Sequence, residues 1–403
     1  MGFIDKSWNF NKNAILLGLL IWSQIGWSQQ LELSSAAEIS VITAGPGNEL
    51  YEGFGHSTIR IVDKNLGFDL AYNYGIFDFD APNFYLNFTK GKMLYKLQSY
   101  PFSLFVRSYQ KDRRWIKEQV LNLTLSQKQQ FFEYLEINAK PENASYFYDP
   151  FFNNCATKIP EITKLILKNK VEFNDKYIKA KQSLRQLMNA EIPWNTWGSF
   201  GINLALGSKL DKIAKPQDYL YLPDYIFRAF EYALVENNGV KEKLVKQTRI
   251  LLDFEELQVK PETMSPLLLF IGILIIGLLI TYQDFKNKTV SIQFDIVLFF
   301  STGLIGLVIC FLWFLTDHST TPNNFNALWA FMPNLIVAFM IKNGLKKKWF
   351  KNYLVFLILL LASAFCIWML SIQLLPKAIL PFLILLMIRY GWLLKNYLLA
   401  SKK

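Results

Sequence analysis

Gly53-Phe54-Gly55-His56-Ser57-Thr58-Ile59-Arg60-Ile61-Val62 and, further along, Asn153-Asn154-Cys155-Ala156-Thr157 are the stretches on which the fold turns. The first alternates apolar residues behind a glycine-bearing turn, which is the two-residue period of a strand beginning at His56. The second closes a turn from Asp149 and opens a helix at Cys155, expected to run to about Lys168, with Asn154 as its N-cap. Further strands are predicted at 38–43, closed by Gly45-Pro46-Gly47, and at 69–74, 93–98 and 115–121, with 146–148 extended. A helix is predicted at 125–139, capped by Thr124 or Ser126. Together these predict an α+β domain, an antiparallel sheet packed on helices. Residues 182–258, rich in aromatics such as Trp194 and Trp197, read as a mainly helical connector near a membrane surface.

From Met264 the composition changes. Apolar runs dominate, and five stretches have the character of spans: 264–282, 292–315, 327–341, 353–373 and 378–394, the third being the shortest. The predicted second part is an all-α membrane domain of about five transmembrane helices. The loops between spans alternate in charge. Lys286 and Lys288, then Lys342, Lys346, Lys347, Lys348 and Lys351, then Lys395, Lys402 and Lys403 fall in every second loop. Positive loops stay in the cytoplasm, so the residues before the first span lie outside and the C-terminus lies inside. Helical spans point to the inner membrane, since outer-membrane proteins are barrels. At the N-terminus, Lys6 and Lys12 precede an apolar stretch from Ala14 to Trp22, and Gly26-Trp27-Ser28 offers a cleavage site. This predicts a secretory signal peptide at 1–28, with an uncleaved anchor as the alternative. The expected division is 1–28 signal peptide, 29–180 periplasmic domain, 181–260 membrane-proximal helical region and 261–403 transmembrane domain.

The net charge of +11 invites a nucleic-acid reading, but many of the lysines lie between apolar spans, where topology explains them. No nucleic-acid partner is expected. There are three cysteines, two of them, Cys310 and Cys366, inside apolar runs. With two histidines they form no zinc pattern, so no metal and no cofactor are expected.

Cys155 has no partner for a disulfide in its own domain. At a helix N-terminus its thiol pKa falls, and the thiolate is a nucleophile. The same helix start offers N–H groups for an oxyanion, and Asn154 and Thr157 are candidate additional donors. His56 is the histidine available to take the thiol proton. On the next strand Asp69, Ala71 and Asn73 share one face, and Leu70, Tyr72 and Tyr74 the other. Asn73 is the first candidate to orient the imidazole and Asp69 the second. Tyr74 and His318, the latter in a loop between spans, are further candidates for substrate contact. Against all of this stands the plain alternative, an inert core cysteine and a satisfied strand histidine.

Gly55-His56-Ser57-Thr58 on an early strand, followed by Asn153-Asn154-Cys155-Ala156-Thr157 opening a helix, resembles the circularly permuted papain-like proteins, which include NlpC-type peptidases and the lecithin:retinol acyltransferase group. The chain is more closely similar to the Lnb-type lipoprotein N-acyltransferases of Bacteroidota. The stretches that carry this are Gly53-Phe54-Gly55-His56, Tyr72-Asn73-Tyr74-Gly75-Ile76-Phe77-Asp78-Phe79, Asn154-Cys155-Ala156-Thr157, Asn203-Leu204-Ala205-Leu206-Gly207, Leu222-Pro223-Asp224-Tyr225, and Asp317-His318 through Asn326-Ala327-Leu328-Trp329. The resemblance implies a Cys155 thioester, a phospholipid acyl donor and a diacylated lipoprotein whose N-terminal amine accepts the acyl chain. Three other readings use the same residues: a cysteine peptidase or amidase acting on cell-wall peptide, a phospholipase with water as acceptor, and a non-enzymatic membrane scaffold.

Overall fold

The computed structural model describes residues 31–255 and 262–400; the expected signal peptide lies outside the described residues. In chain order the first part contains β1 (Glu38–Ala44), β2 (His56–Asp63), β3 (Phe68–Ile76), α1 (Phe84–Thr89), β4 (Leu94–Pro101), α2 (Phe102–Lys111), β5 (Ile116–Leu121), α3 (Leu125–Ala139), β6 (Ser145–Phe147) and α4 (Cys155–Leu167). It continues with β7 (Val171–Glu172), α5 (Leu184–Glu191), α6 (Trp197–Ala205), α7 (Pro223–Tyr232), β8 (Leu234–Asn237), β9 (Val240–Lys243) and β10 (Val245–Leu252).

The main sheet is antiparallel with the order β10-β5-β1-β2-β3-β4-β6. The middle of the sheet is covered on both faces, so β1 is apolar on both. Ile39 and Val41 enter a core with Phe131 of α3 and Ile159 and Ile162 of α4. Ile42 and Ala44 meet Phe102 and Phe105 of α2 on the other side. Each large aliphatic chain buried this way contributes about 1.5–3 kcal/mol. Thr124 caps α3 in a box with Gln127.

The expectation of a mainly helical 182–258 holds as far as Tyr232 and needs correction beyond it. The segment contains the β8–β9 hairpin, and β10 pairs with β5 at the edge of the main sheet. The antiparallel sheet is therefore completed from well beyond residue 180. Lys246, Gln247 and Thr248 of this edge strand are exposed, and the ladder has register shifts, so the two-residue period is weak. The hairpin did leave a sequence sign: Asn238-Gly239, both at positive φ (50° and 80°), the pair that two-residue hairpin turns favour.

The second part is helical: α8 (Pro266–Asn287), α9 (Ile292–Phe314), α10 (Asn334–Gly344), α11 (Lys348–Met369) and α12 (Leu380–Ala400). Among the described residues four helices, α8, α9, α11 and α12, are long and apolar enough to cross a membrane. The third expected span is broken. A turn at Phe325–Leu328 and a non-helical stretch precede α10, whose 11 residues reach only about 16 Å, half a bilayer core. Both flanking loops nonetheless fix its direction. The loop after α9 is bonded to the α/β part through Asp317 N–H to Lys90 O (2.8 Å). The loop after α11 is bonded to it through Leu374 N–H to Asp211 Oδ1 (3.0 Å). The start of α11 must then lie at the far end, and residues 325–347 make the crossing.

Irregular backbone at this depth must be covered by protein. Gly303 and Gly306 of α9 provide the cover, since a Cβ there would stand 2.1 Å from Leu335 N and 2.0 Å from Ala330 O. Asn334, where α10 begins, donates to Thr302 Oγ1 (3.0 Å) and accepts from the Tyr353 hydroxyl (2.5 Å). The α8 end is tied as well, by Leu267 N–H to Asn195 Oδ1 (3.1 Å) and Trp197 Nε1–H to Met264 O (2.8 Å).

Candidate active site

The site lies where two strands part. β2 and β3 pair from Asp63↔Phe68 to Ile59↔Tyr72 and no further. Beyond that point Thr58 Oγ1 donates to Tyr72 O (2.7 Å), closing the ladder with a side chain. The opening leaves His56 on β2 and Asn73 on β3 on either side of a gap, and α4 starts there with Cys155.

The start of α4 is built by its own sequence. Asp149 Oδ1 accepts from Phe151 N–H (2.9 Å) and Phe152 N–H (3.0 Å), folding the turn. Asn154 Oδ1 accepts from Thr157 N–H (2.9 Å), and Thr157 Oγ1 accepts from Asn154 N–H (2.8 Å). This reciprocal box contributes about 1 kcal/mol. It also uses up both side chains: Asn154 Nδ2 donates to Pro150 O and Tyr221 O (both 2.8 Å). Asn154 and Thr157 therefore do not aim donors at a reacting atom, and as oxyanion candidates they are set aside. They hold the cysteine in place instead.

Cys155, His56 and Asn73 come together. His56 Nε2 lies 2.6 Å from Asn73 Oδ1, while Asn73 Nδ2 donates to the Tyr100 hydroxyl (2.8 Å). An amide oxygen only accepts, so Nε2 carries the proton and Nδ1 is left to face the thiol. Burial pushes the Cys155 thiol up, but the His56 charge and hydrogen bond, with the backbone N–H groups of Ser57 and Ala156, outweigh it, and the net direction is down. Burial likewise pulls His56 down, and the Cys155 charge, its hydrogen bond and Asn73 reverse that to a net rise. The arrangement favours thiolate and imidazolium together.

The other candidates lie elsewhere. Asp69 is held in a two-pronged pair with Arg60 (2.7 Å at each oxygen) and does not orient the imidazole. Tyr74 turns to the opposite face, its hydroxyl accepting from Asn138 Nδ2 (3.3 Å). His318 lies in the loop after α9, its backbone against Gly91. Tyr100 was missed by the sequence reading. The alternation on β4, which puts Gln98 opposite Asn73 and Tyr100 two pairs along, opposite Ala71 and on the same face, was the available signal.

Cys155 is expected to react with iodoacetamide at lower pH than an ordinary thiol, which titrates near 9.0. The thiolate is lost only as pH falls through its lowered pKa. In His56→Ala burial acts with less opposition, and the rate profile read on the Cys155 peptide by mass spectrometry should move to higher pH. Superimposed profiles would mean that His56 does not prime the thiol.

An antiparallel α+β domain presenting a thiol–imidazole pair, joined to a bundle of long apolar helices, is the build of a membrane-anchored protein. The Lnb N-terminal periplasmic domain profile matches residues 23–197, and the Lnb transmembrane domain profile matches residues 258–403. Together these span most of the sequence, and the chain belongs to the Lnb family. Among curated proteins and solved structures nothing matches it.

Proposed function

We propose that the chain is a cysteine-dependent lipoprotein N-acyltransferase of the inner membrane. The observation that carries this reading is where the nucleophile is held. Asp149, in the turn that releases Cys155, accepts from Ser319 Oγ of the loop between two crossings, and Lys209 Nζ donates to Ser319 O (3.1 Å). The reactive thiol is thereby fixed to the membrane domain at the bilayer surface, where both lipid substrates lie.

His56 takes the proton of Cys155, and the thiolate attacks an acyl-ester carbonyl of a phospholipid. The N–H groups at the start of α4 hold the oxyanion; a single such donor contributes about 3 kcal/mol. The ester C–O bond breaks, His56 returns its proton to the departing alkoxide, and a lysophospholipid leaves a thioester on Cys155. The α-amine of a diacylated lipoprotein then attacks the thioester. The C–S bond breaks, His56 accepts the amine proton, and an amide and the thiolate–imidazolium pair result. Asn73 acts through His56, as a positioning residue. The lysine-rich loops at the far end of the bundle support a periplasmic α/β part and a cytoplasmic C-terminus.

The test uses membranes containing the wild type or Cys155→Ala, a diacylated lipopeptide and phospholipid. A mass gain of one acyl chain on the lipopeptide with the wild type alone is expected. Cleavage of cell-wall peptide without that gain would replace the reading by a peptidase, and equal gain with both proteins would remove Cys155 from the mechanism.

A further inference from the structure

We propose that α1 and the aromatic residues around it lie in the outer headgroup layer and lead the acyl chain of a bilayer phospholipid to Cys155; the second half of this statement rests on the acyl-donor reading above. The helix Phe84-Tyr85-Leu86-Asn87-Phe88-Thr89 has no buried residue, although half of its side chains are large and apolar. Tyr85 is 70% exposed and Phe88 47%. Apolar surface of this kind on a folded chain marks a surface that something covers.

Its attachment identifies the cover as lipid. Lys90, directly after α1, accepts from Asp317 N–H (2.8 Å). A Cβ on Gly91 would stand 2.6 Å from His318 N, so the two backbones are in contact. Asp317 comes three residues after Phe314, the last residue of α9, and Phe314 and Leu315 are large exposed apolar side chains (67% and 70%). The α1 surface is thus continuous with that of a membrane-crossing helix at its outer end. Lys90, Lys92 and Lys96 are exposed beside it, which suits phosphate headgroups, and aromatic side chains are the ones enriched at this depth.

From α1 a line of rings runs inward. Phe84 and Phe77 stack at 6.0 Å between centroids, Phe77 and Tyr95 lie 4.9 Å apart, and Tyr95 and Tyr148 4.3 Å. Tyr148 borders the nucleophile. A Cβ placed on Gly75 would be 3.9 Å from Tyr148 Cε2 and 3.7 Å from Cys155 Cβ. The apolar line therefore begins in exposed rings and ends at Tyr148, beside Cys155 across Gly75. A chain lying along these rings would bring its ester to Cys155 without leaving apolar surroundings.

The experiment uses the full chain in nanodiscs of phosphatidylethanolamine and phosphatidylglycerol, with a phospholipid carrying a diazirine on its acyl chain. On illumination, peptides covering 77–88 and 95 should be labelled together with the crossing helices. In Tyr85→Ser/Phe88→Ser the labelling at 77–88 should disappear. Acyl transfer from nanodisc lipid should fall about tenfold or more, since two aromatic side chains leave the lipid. The burst of p-nitrophenol from p-nitrophenyl butyrate, a small soluble ester acylating Cys155 directly, should stay at the wild-type level. Labelling confined to the crossing helices overturns the proposal, and so does transfer unchanged in the double variant. A wild type that gives neither burst nor transfer overturns the acyltransferase reading instead, while the labelling still decides whether α1 meets lipid.

Discussion

His56→Ala is expected to slow acylation of Cys155 by about 10²–10⁴-fold, the range general base catalysis supplies. The thiol keeps its place at the start of α4, because the Asn154–Thr157 box that builds the helix end does not involve His56. What goes is the group that draws its proton and holds its charge. Burst kinetics with a p-nitrophenyl ester isolate this step. Asn73→Asp provides a second, directional readout. A carboxylate 2.6 Å from Nε2 in place of the amide oxygen favours the imidazolium, so the His56 pKa rises above its already raised position. The imidazolium is lost as pH rises through that pKa, so the alkaline limb of the pH–rate profile should move to higher pH. A merely structural Asn73 would lower the rate at every pH without moving the limb.

The thiol–imidazole pair could be read from the sequence because its residues are rare and their settings local. One cysteine and one histidine in the α/β part, a cap at Asn154 and a strand period at His56 suffice. Asn73 followed from alternation along one strand. The error at Asp69 has a different origin: alternation puts it on the same face as Asn73, but Arg60 claims it, and a pair between side chains nine residues apart is not written in either strand's pattern. Asn154 and Thr157 were attractive as donors because of their chemistry, yet helix starts consume such groups in capping. β10 escaped notice because an edge strand has little apolar period to show and finds its partner more than a hundred residues away. The broken crossing before α10 was legible only as a short apolar run. What covers its backbone, Gly303 and Gly306, lies on another helix.

Arg185→Met is expected to lower stability by about 3–5 kcal/mol, the consequence of leaving a buried carboxylate without its cation. Arg185 is fully buried, and its guanidinium holds the segment from Asn203 to Asp211, to which the membrane loops are bonded. Nε donates to Asp211 Oδ1 (2.9 Å), Nη1 to Asn203 Oδ1 (3.1 Å), and Nη2 to Leu206 O and Gly207 O (both 2.9 Å). Asp211 in turn accepts from Leu374 N–H, and Gly207 N–H donates to Thr320 O (2.9 Å), so the loops after α9 and α11 both hang on the segment that Arg185 holds. Thermal melting in nanodiscs, followed by fluorescence, should show a drop on the order of 10 °C. Burial already pushes the Asp211 carboxyl above its usual 3.8, with Arg185 pulling it back. Without Arg185 it rises further. An acid with a raised folded-state pKa costs stability above that pKa and regains it as pH falls through it, so the deficit should be larger at alkaline than at acidic pH. Adding Asp211→Asn removes the stranded charge but keeps an oxygen for Leu374 N–H. The double variant should therefore melt above Arg185→Met, and its deficit should lose the pH dependence. If the double variant melts no higher, the carboxylate is not what Arg185 is needed for, and the loss belongs to the carbonyls of Leu206 and Gly207.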